Sequence, residues 1–272
     1  MALVHLNFNS KYLSGSTDVN IILPDCARTA EPQAFYGSGK QFPVLWLLHG
    51  TFGDYSDWLR KTNVELYAEE KNLIVVMPSA HNTDYANWPG FGTGYQVFDY
   101  LTEELMPLIY GWFPASDKRE DNYIAGLSMG GRGTCVYAFN HPEKFAGAAI
   151  LSANPSDFNK MKTSGSPMWE RMKKSAINFE GGEEEFLNSY QNTVKVLREK
   201  VASGVKLPKI FIGAGEEDQM IMKDFPATKE LFKELGIDAE YYTVPGLRHE
   251  WRYWDMAIEK ALDYFGIEKI AE

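Results

Sequence analysis

The stretch Gly126, Leu127, Ser128, Met129, Gly130, Gly131, preceded by the apolar run Tyr123, Ile124, Ala125, constrains the fold of this chain more than any other. G-x-S-x-G is the signature of a strand-to-helix turn sharp enough to leave the serine hydroxyl exposed above the sheet. Residues flanking the serine are then pressed against the adjoining strand and helix, so Gly126 and Gly130 occupy positions where a Cβ would clash. Glycine and serine are common, and the pentapeptide alone is weak. Its context gives it weight: Asp121 to Ala125 reads as a buried strand and Arg132 to Asn140 as a helix. Ser128 is the candidate nucleophile.

The same rhythm runs through much of the chain. Leu3 to Phe8 and Val19 to Leu23 read as strands joined through Gly15, an opening hairpin or pair of edge strands. Val44 to Leu48 is a continuous apolar run, as in strands of a parallel sheet buried on both faces, and it ends in His49, Gly50, Thr51, Phe52, Gly53. A glycine-bearing loop in that place leaves backbone N–H groups free to point at a ligand. Leu73 to Met77, Phe145 to Leu151, Lys209 to Ile212 and Glu240 to Val244 supply further strands, and Cys26 to Gln41 reads as a surface loop. Helical patterns fill Ser56 to Lys71, with a break near Thr62 and Asn63, then Pro226 to Leu235 and Glu250 to Phe265. Phe98, Leu101, Leu105 and Leu108 predict one helix from about Tyr95 to Tyr110. Strands alternating with amphipathic helices predict an α/β fold: a mostly parallel sheet, covered on both faces, with its crevices at the carboxyl ends of the strands.

Pro155 to Leu207 departs from this pattern, being polar with Gly181 and Gly182 at its middle. In its second half Phe186, Tyr190, Val194, Leu197 and Val201 mark a helix ending at Gly204. The expected organisation is therefore a single domain over residues 1–272, with a small lid-like insertion at about 155–207 packed over the carboxyl edge of the sheet.

Charge and composition exclude several classes. With 27 basic against 37 acidic residues the net charge is −10, and no basic stripe is present, which argues against a nucleic-acid partner. Cys26 and Cys135 lie far apart without metal-type spacing, which fits a reducing compartment. Met1 to Phe8 has no signal-peptide pattern, and no stretch approaches the roughly 20 apolar residues of a membrane span. The expectation is a soluble, cytoplasmic protein that acts on a small molecule without metal or cofactor and has no membrane partner, with homo-oligomer formation left open.

A serine nucleophile needs a base to take its proton and a carboxylate to hold that base in the right tautomer. Among five histidines, His249 alone lies in the loop between the strand Glu240 to Val244 and the last helix, where the Ser, acid, His chain order of this hydrolase architecture puts the base. The acid belongs after the strand ending near Ile212, where Glu216, Glu217 and Asp218 are all available. Asp218 is the choice, since a short side chain can reach inward while the two glutamates suit solvated loop positions. For an oxyanion hole the architecture supplies the N–H of Met129 and one from the His49 to Gly53 loop, Thr51 first and Phe52 second. Phe52, Tyr85, Trp88, Phe91 and Trp169 are candidates to line an acyl or alcohol pocket, against the alternative that the last four fill the seam between insertion and sheet. Trp251 and Trp254 read as packing residues that fix His249.

His49 and Gly50 after a strand, GLSMGG at 126–131, GEED at 215–218 and GLRHEWRYW at 246–254 together resemble the bacterial tributyrin esterase group of the esterase D-like α/β-hydrolases. Met1 to Pro24 is similar too, whereas Pro155 to Leu207 carries no matching signature. The resemblance implies an α/β-hydrolase fold, a triad of Ser128, Asp218 and His249, no cofactor, and carboxylesterase action on short acyl esters; relatives include feruloyl esterases, S-formylglutathione hydrolases and antigen 85 acyltransferases. Two-step acyl transfer through an acyl-enzyme on Ser128 is expected, on short-chain acyl or hydroxycinnamoyl (feruloyl-type) esters. An S-formylglutathione thioesterase and a non-catalytic binding protein of the same fold are the alternatives.

Overall fold

The computed structural model describes residues 1–269. Its main sheet has eight strands: β1 (Ala2–Ser10), β2 (Gly15–Leu23), β3 (Val44–Leu48), β4 (Ile74–Pro78), β5 (Asn122–Leu127), β6 (Gly147–Leu151), β7 (Lys209–Gly215) and β8 (Ala239–Val244). Their spatial order is β1-β2-β4-β3-β5-β6-β7-β8. The hairpin β1–β2 is antiparallel, with Ala2 opposite Leu23, and β2 runs antiparallel to β4. Every later pairing is parallel. All the loops that leave the carboxyl ends of β3, β5, β7 and β8 therefore open at one edge of the sheet.

The apolar runs explain this layering. Val44, Trp46 and Leu48 of β3 join one core and Leu45 and Leu47 the other, the two-residue alternation of a strand between two layers. Each such side chain taken fully out of water contributes about 1.5–3 kcal/mol. The second core is closed by α2 (Asp57–Lys61), α3 (Val64–Lys71) and the long final helix, Trp251–Phe265; the interruption at Thr62 and Asn63 falls where the sequence suggested it. A short helix, α1 (Pro32–Tyr36), interrupts the segment expected to be loop.

The single helix expected over Tyr95 to Tyr110 is divided. Tyr95–Gln96 pairs with Asn87–Trp88 as a small ladder, one α turn follows at Val97–Asp99, and Tyr100–Leu105 is π-helical before α4 (Met106–Trp112). Pro107 gives the reason: it has no N–H for the Glu103 carbonyl and its ring crowds that oxygen, so the preceding turn widens. Leu101 and Leu105 still point into the core.

After β5 comes α5 (Met129–Asn140), and after β6 the insertion, α6 (Phe158–Thr163), α7 (Pro167–Asn178), α8 (Gly182–Asn188) and α9 (Thr193–Ala202). The one helix expected for its second half breaks because the Asn192 side chain accepts the Lys195 N–H and starts α9 afresh. Phe158, Trp169, Met172, Ala176, Phe186 and Leu187 form a separate small core inside the insertion. Val196 and Leu197 of α9 reach the main core, and the Tyr190 hydroxyl accepts the Asn87 N–H at 2.8 Å. Next come α10 (Gln219–Met222), α11 (Phe225–Glu234) and α12 (Trp251–Phe265), which ends at Gly266 with φ +81°, the left-handed stop glycine tolerates best. No helix among the described residues is long and apolar enough to cross a membrane.

Candidate active site

Ser128 sits between β5 and α5 with φ +53° and ψ −113°, a conformation a non-glycine residue adopts at a cost of about 1–3 kcal/mol. The glycines around it let three strands converge on this turn. A Cβ on Gly126 would lie 2.4 Å from the Gly130 backbone, and one on Gly130 would lie 2.4 Å from the Leu48 carbonyl oxygen. The Ser128 N–H donates to the Leu151 carbonyl at 2.8 Å, pinning the turn to β6. Its hydroxyl has no hydrogen-bond partner among the described residues, and the side chain borders an open cavity.

Asp218 and His249 are brought together by pairing of their two loops. The Glu216 N–H donates to the Val244 carbonyl and the Glu217 N–H to the Leu247 carbonyl, both at 3.0 Å, and a Cβ on Gly215 would lie 2.2 Å from the Leu247 oxygen. Asp218 Oδ2 consequently accepts a 2.7 Å hydrogen bond from His249 Nδ1, with the carboxylate 1% and the imidazole 24% exposed. Glu216 and Glu217 are exposed; the former accepts from Thr243 Oγ1 and the latter pairs with Arg248. Behind the imidazole, the Trp254 ring meets His249 edge-to-face at 5.1 Å, and its Nε1–H donates to Ser152 Oγ at 3.0 Å. Both tryptophans, Trp251 and Trp254, line the cavity as well as packing behind the loop.

The loop after β3 comes close to the serine, since a Cβ on Gly50 would stand 3.6 Å from Ser128 Cβ. Its two candidate donors differ. The Phe52 N–H is engaged, donating to Asn82 Oδ1 at 2.8 Å, while the Thr51 N–H has no partner among the described residues. Met129 is the first residue of α5, so its N–H is one of the donors a helix leaves unpaired.

Ser128, His249, Thr51 and Phe52 share a cavity of about 350 Å³ with Gly50, Leu127 and residues the sequence reading passed over: Asp57, Lys61 and Met220. Phe52 is 91% exposed at its mouth. Lys61 pairs with Asp57 at 2.8 Å and lies 4.8 Å over the Trp251 ring. The i, i+4 spacing of Asp57 and Lys61, directly after the Thr51 loop, was the available signal for this wall.

Tyr85, Trp88 and Trp169 do not line that cavity. Tyr85 is buried against α5, where a Cβ on Gly133 would touch its ring at 2.5 Å, and its hydroxyl donates to the His49 carbonyl; burial pushes its pKa well up. Trp88 packs edge-to-face on Phe179 at 6.0 Å, and Trp169 lies in the insertion's own core. Phe91 is exposed, its ring 6.2 Å from Tyr95. Among the described residues, no group of three or more His, Cys, Asp or Glu side chains could hold a metal ion.

The model of the Esterase family matches residues 10–265. An acetyl esterase of Caldicellulosiruptor saccharolyticus is 29% identical over 97% of this chain and 98% of its own length. Among solved structures, an S-formylglutathione hydrolase of Staphylococcus aureus superimposes with a TM-score of 0.79 at 29% identity, over 97% of this chain and 98% of that one. A ferulic acid esterase superimposes at 0.71 with 21% identity, over 97% of each chain, a likeness of fold.

Proposed function

The chain belongs to the Esterase family and is a carboxylic ester hydrolase of the serine type, and we propose that Ser128, His249 and Asp218 carry its reaction on short acyl esters. His249 Nε2 takes the Ser128 proton as Oγ attacks the ester carbonyl, and Asp218 holds the imidazole with its proton on Nδ1 and stabilises the imidazolium. The Thr51 and Met129 N–H groups receive the oxyanion. The imidazolium then protonates the departing alkoxide, and water, activated by the same base, releases the acid from the acyl-enzyme.

The observation that carries this reading is the 2.7 Å Asp218–His249 hydrogen bond on the rim of the cavity that holds Ser128. The Ser128 hydroxyl and His249 are not hydrogen-bonded to each other in this structure, and such contacts often tighten only in the substrate complex. Phe52, Met220 and Trp251 give the cavity apolar walls suited to a short acyl chain or a small aromatic group. The partner in this reading is a small-molecule ester, and the two free cysteines fit a reducing compartment, the cytoplasm.

A second reading is favoured by the likeness to the S-formylglutathione hydrolase. The same triad cleaves a thioester, and the Lys61–Asp57 pair gives the cavity wall polar groups that a charged leaving group can meet. A panel of acetyl, butyryl, octanoyl and feruloyl esters with S-formylglutathione separates the two. Highest kcat/KM on acetyl or butyryl esters supports the short-acyl reading; a preference of more than tenfold for the thioester replaces it with the second. Ser128→Ala should lower turnover of every active substrate by at least about a thousandfold.

A further inference from the structure

From the hydrogen bonds around His49 we infer that this buried histidine is a positioning residue for the oxyanion hole: it orients the Gly50–Thr51 peptide so that the Thr51 N–H faces the reacting carbonyl. The inference rests on the role assigned above to Thr51.

His49 is 1% exposed and directly follows β3. Its Nε2 receives the Ala80 N–H at 2.9 Å, so that nitrogen must carry a lone pair. The other ring nitrogen lies 2.7 Å from the Gly50 carbonyl oxygen, which can only accept, so Nδ1 carries the proton. These two contacts fix a single neutral tautomer. Burial favours the same state by pushing the pKa below the ordinary histidine value.

The Gly50 carbonyl accepts a second hydrogen bond, from the Gly53 N–H at 3.1 Å, which closes the loop into a turn. A trans peptide holds its C=O and N–H in opposite directions. Anchoring the Gly50 oxygen toward His49 and Gly53 therefore turns the Thr51 N–H the other way, in a residue that lines the Ser128 cavity. The ring has little room to move: a Cβ on Gly53 would stand 3.1 Å from His49 Nδ1 and 2.3 Å from Asp57 Oδ2. The His49 carbonyl accepts the Tyr85 hydroxyl at 2.9 Å, anchoring its backbone as well. Meanwhile Asn82 occupies the neighbouring Phe52 N–H, so that of the two candidate donors only Thr51 has no partner among the described residues.

The test compares two amide replacements. In His49→Asn the amide N–H falls near Nδ1 and can still donate to the Gly50 carbonyl; in His49→Gln the longer chain carries the amide past it. With p-nitrophenyl acetate, His49→Asn should keep kcat within about tenfold of wild type. His49→Gln should lose about a hundredfold in kcat with KM within threefold, the size and pattern of a lost oxyanion donor. Its affinity for a trifluoromethyl ketone analogue should fall by a similar factor. Equal activity in the two variants, or a loss confined to KM, overturns the inference.

Two measurements on the unaltered protein guard against misfolding of the variants. Imidazole nitrogen shifts should show His49 neutral with its proton on Nδ1, and the opposite tautomer overturns the inference. The Thr51 amide proton should move downfield when the trifluoromethyl ketone binds. An unmoved Thr51 signal defeats the assignment of Thr51 itself; a moved signal with equally active variants defeats the role of His49 alone.

Discussion

Asp218 gives His249 Nδ1 a 2.7 Å hydrogen-bond acceptor from a carboxylate only 1% exposed. In so dry a position the acceptor does more than fill space, since it selects which imidazole nitrogen keeps its proton. Asp218→Asn preserves the shape but can present an amide N–H, which favours the tautomer with the proton on Nε2. The expected result is a fall in kcat of about ten-thousandfold on p-nitrophenyl acetate with little change in KM. A loss of less than about tenfold would assign the tautomer to another group.

The burial of His49 has a consequence for stability as well as for the loop that follows β3. Because its folded-state pKa is depressed by desolvation, the unfolded chain takes up a proton before the native one does. Its contribution is fully present above the ordinary value of 6.5 and is lost as pH falls below that, down through the folded-state value. Thermal unfolding between pH 7 and pH 5 should therefore show a steeper fall in Tm for the wild type than for His49→Asn. Parallel curves would mean that His49 charges without penalty in the folded protein.

Gly130 tests the turn itself. A Cβ there meets the Leu48 and His49 carbonyl oxygens at 2.4 and 2.6 Å, backbone atoms that cannot swing aside. Gly130→Ala should destabilise the fold by roughly 1–3 kcal/mol or more and remove most activity, since α5 and the loop after β3 are both displaced. Urea denaturation reads the first effect and turnover the second.

Much of this geometry was legible in the sequence because steric rules write it there. The glycines flanking Ser128, the buried β3 run and the placing of His249 after the last strand leave few other arrangements. The aromatic residues were not legible in the same way. A tryptophan in a polar segment serves equally as pocket wall or as core, and Trp169 became core because the insertion gathered six buried side chains of its own. The π-helical turn before Pro107 was hidden because its apolar spacing fits an ordinary helix. Met220 was hidden because nothing in a short helix after Asp218 announces which side chain overhangs the cavity.

That distinction gives a prediction for specificity. Trp169→Phe should leave the ratio of feruloyl to acetyl ester kcat/KM within about twofold of wild type, whereas Phe52→Ala, at the cavity mouth, should shift it about tenfold. Trp169→Ala should cost about 3–5 kcal/mol of stability. A large change of selectivity at Trp169 would place substrate against the insertion.

The most direct measurement is the site of covalent capture. After reaction with a fluorophosphonate probe, peptide mass spectrometry should locate one adduct, on Ser128, formed at least about a hundredfold more slowly in His249→Ala and absent in Ser128→Ala. An adduct on a different residue, or an unchanged rate without His249, would contradict the triad.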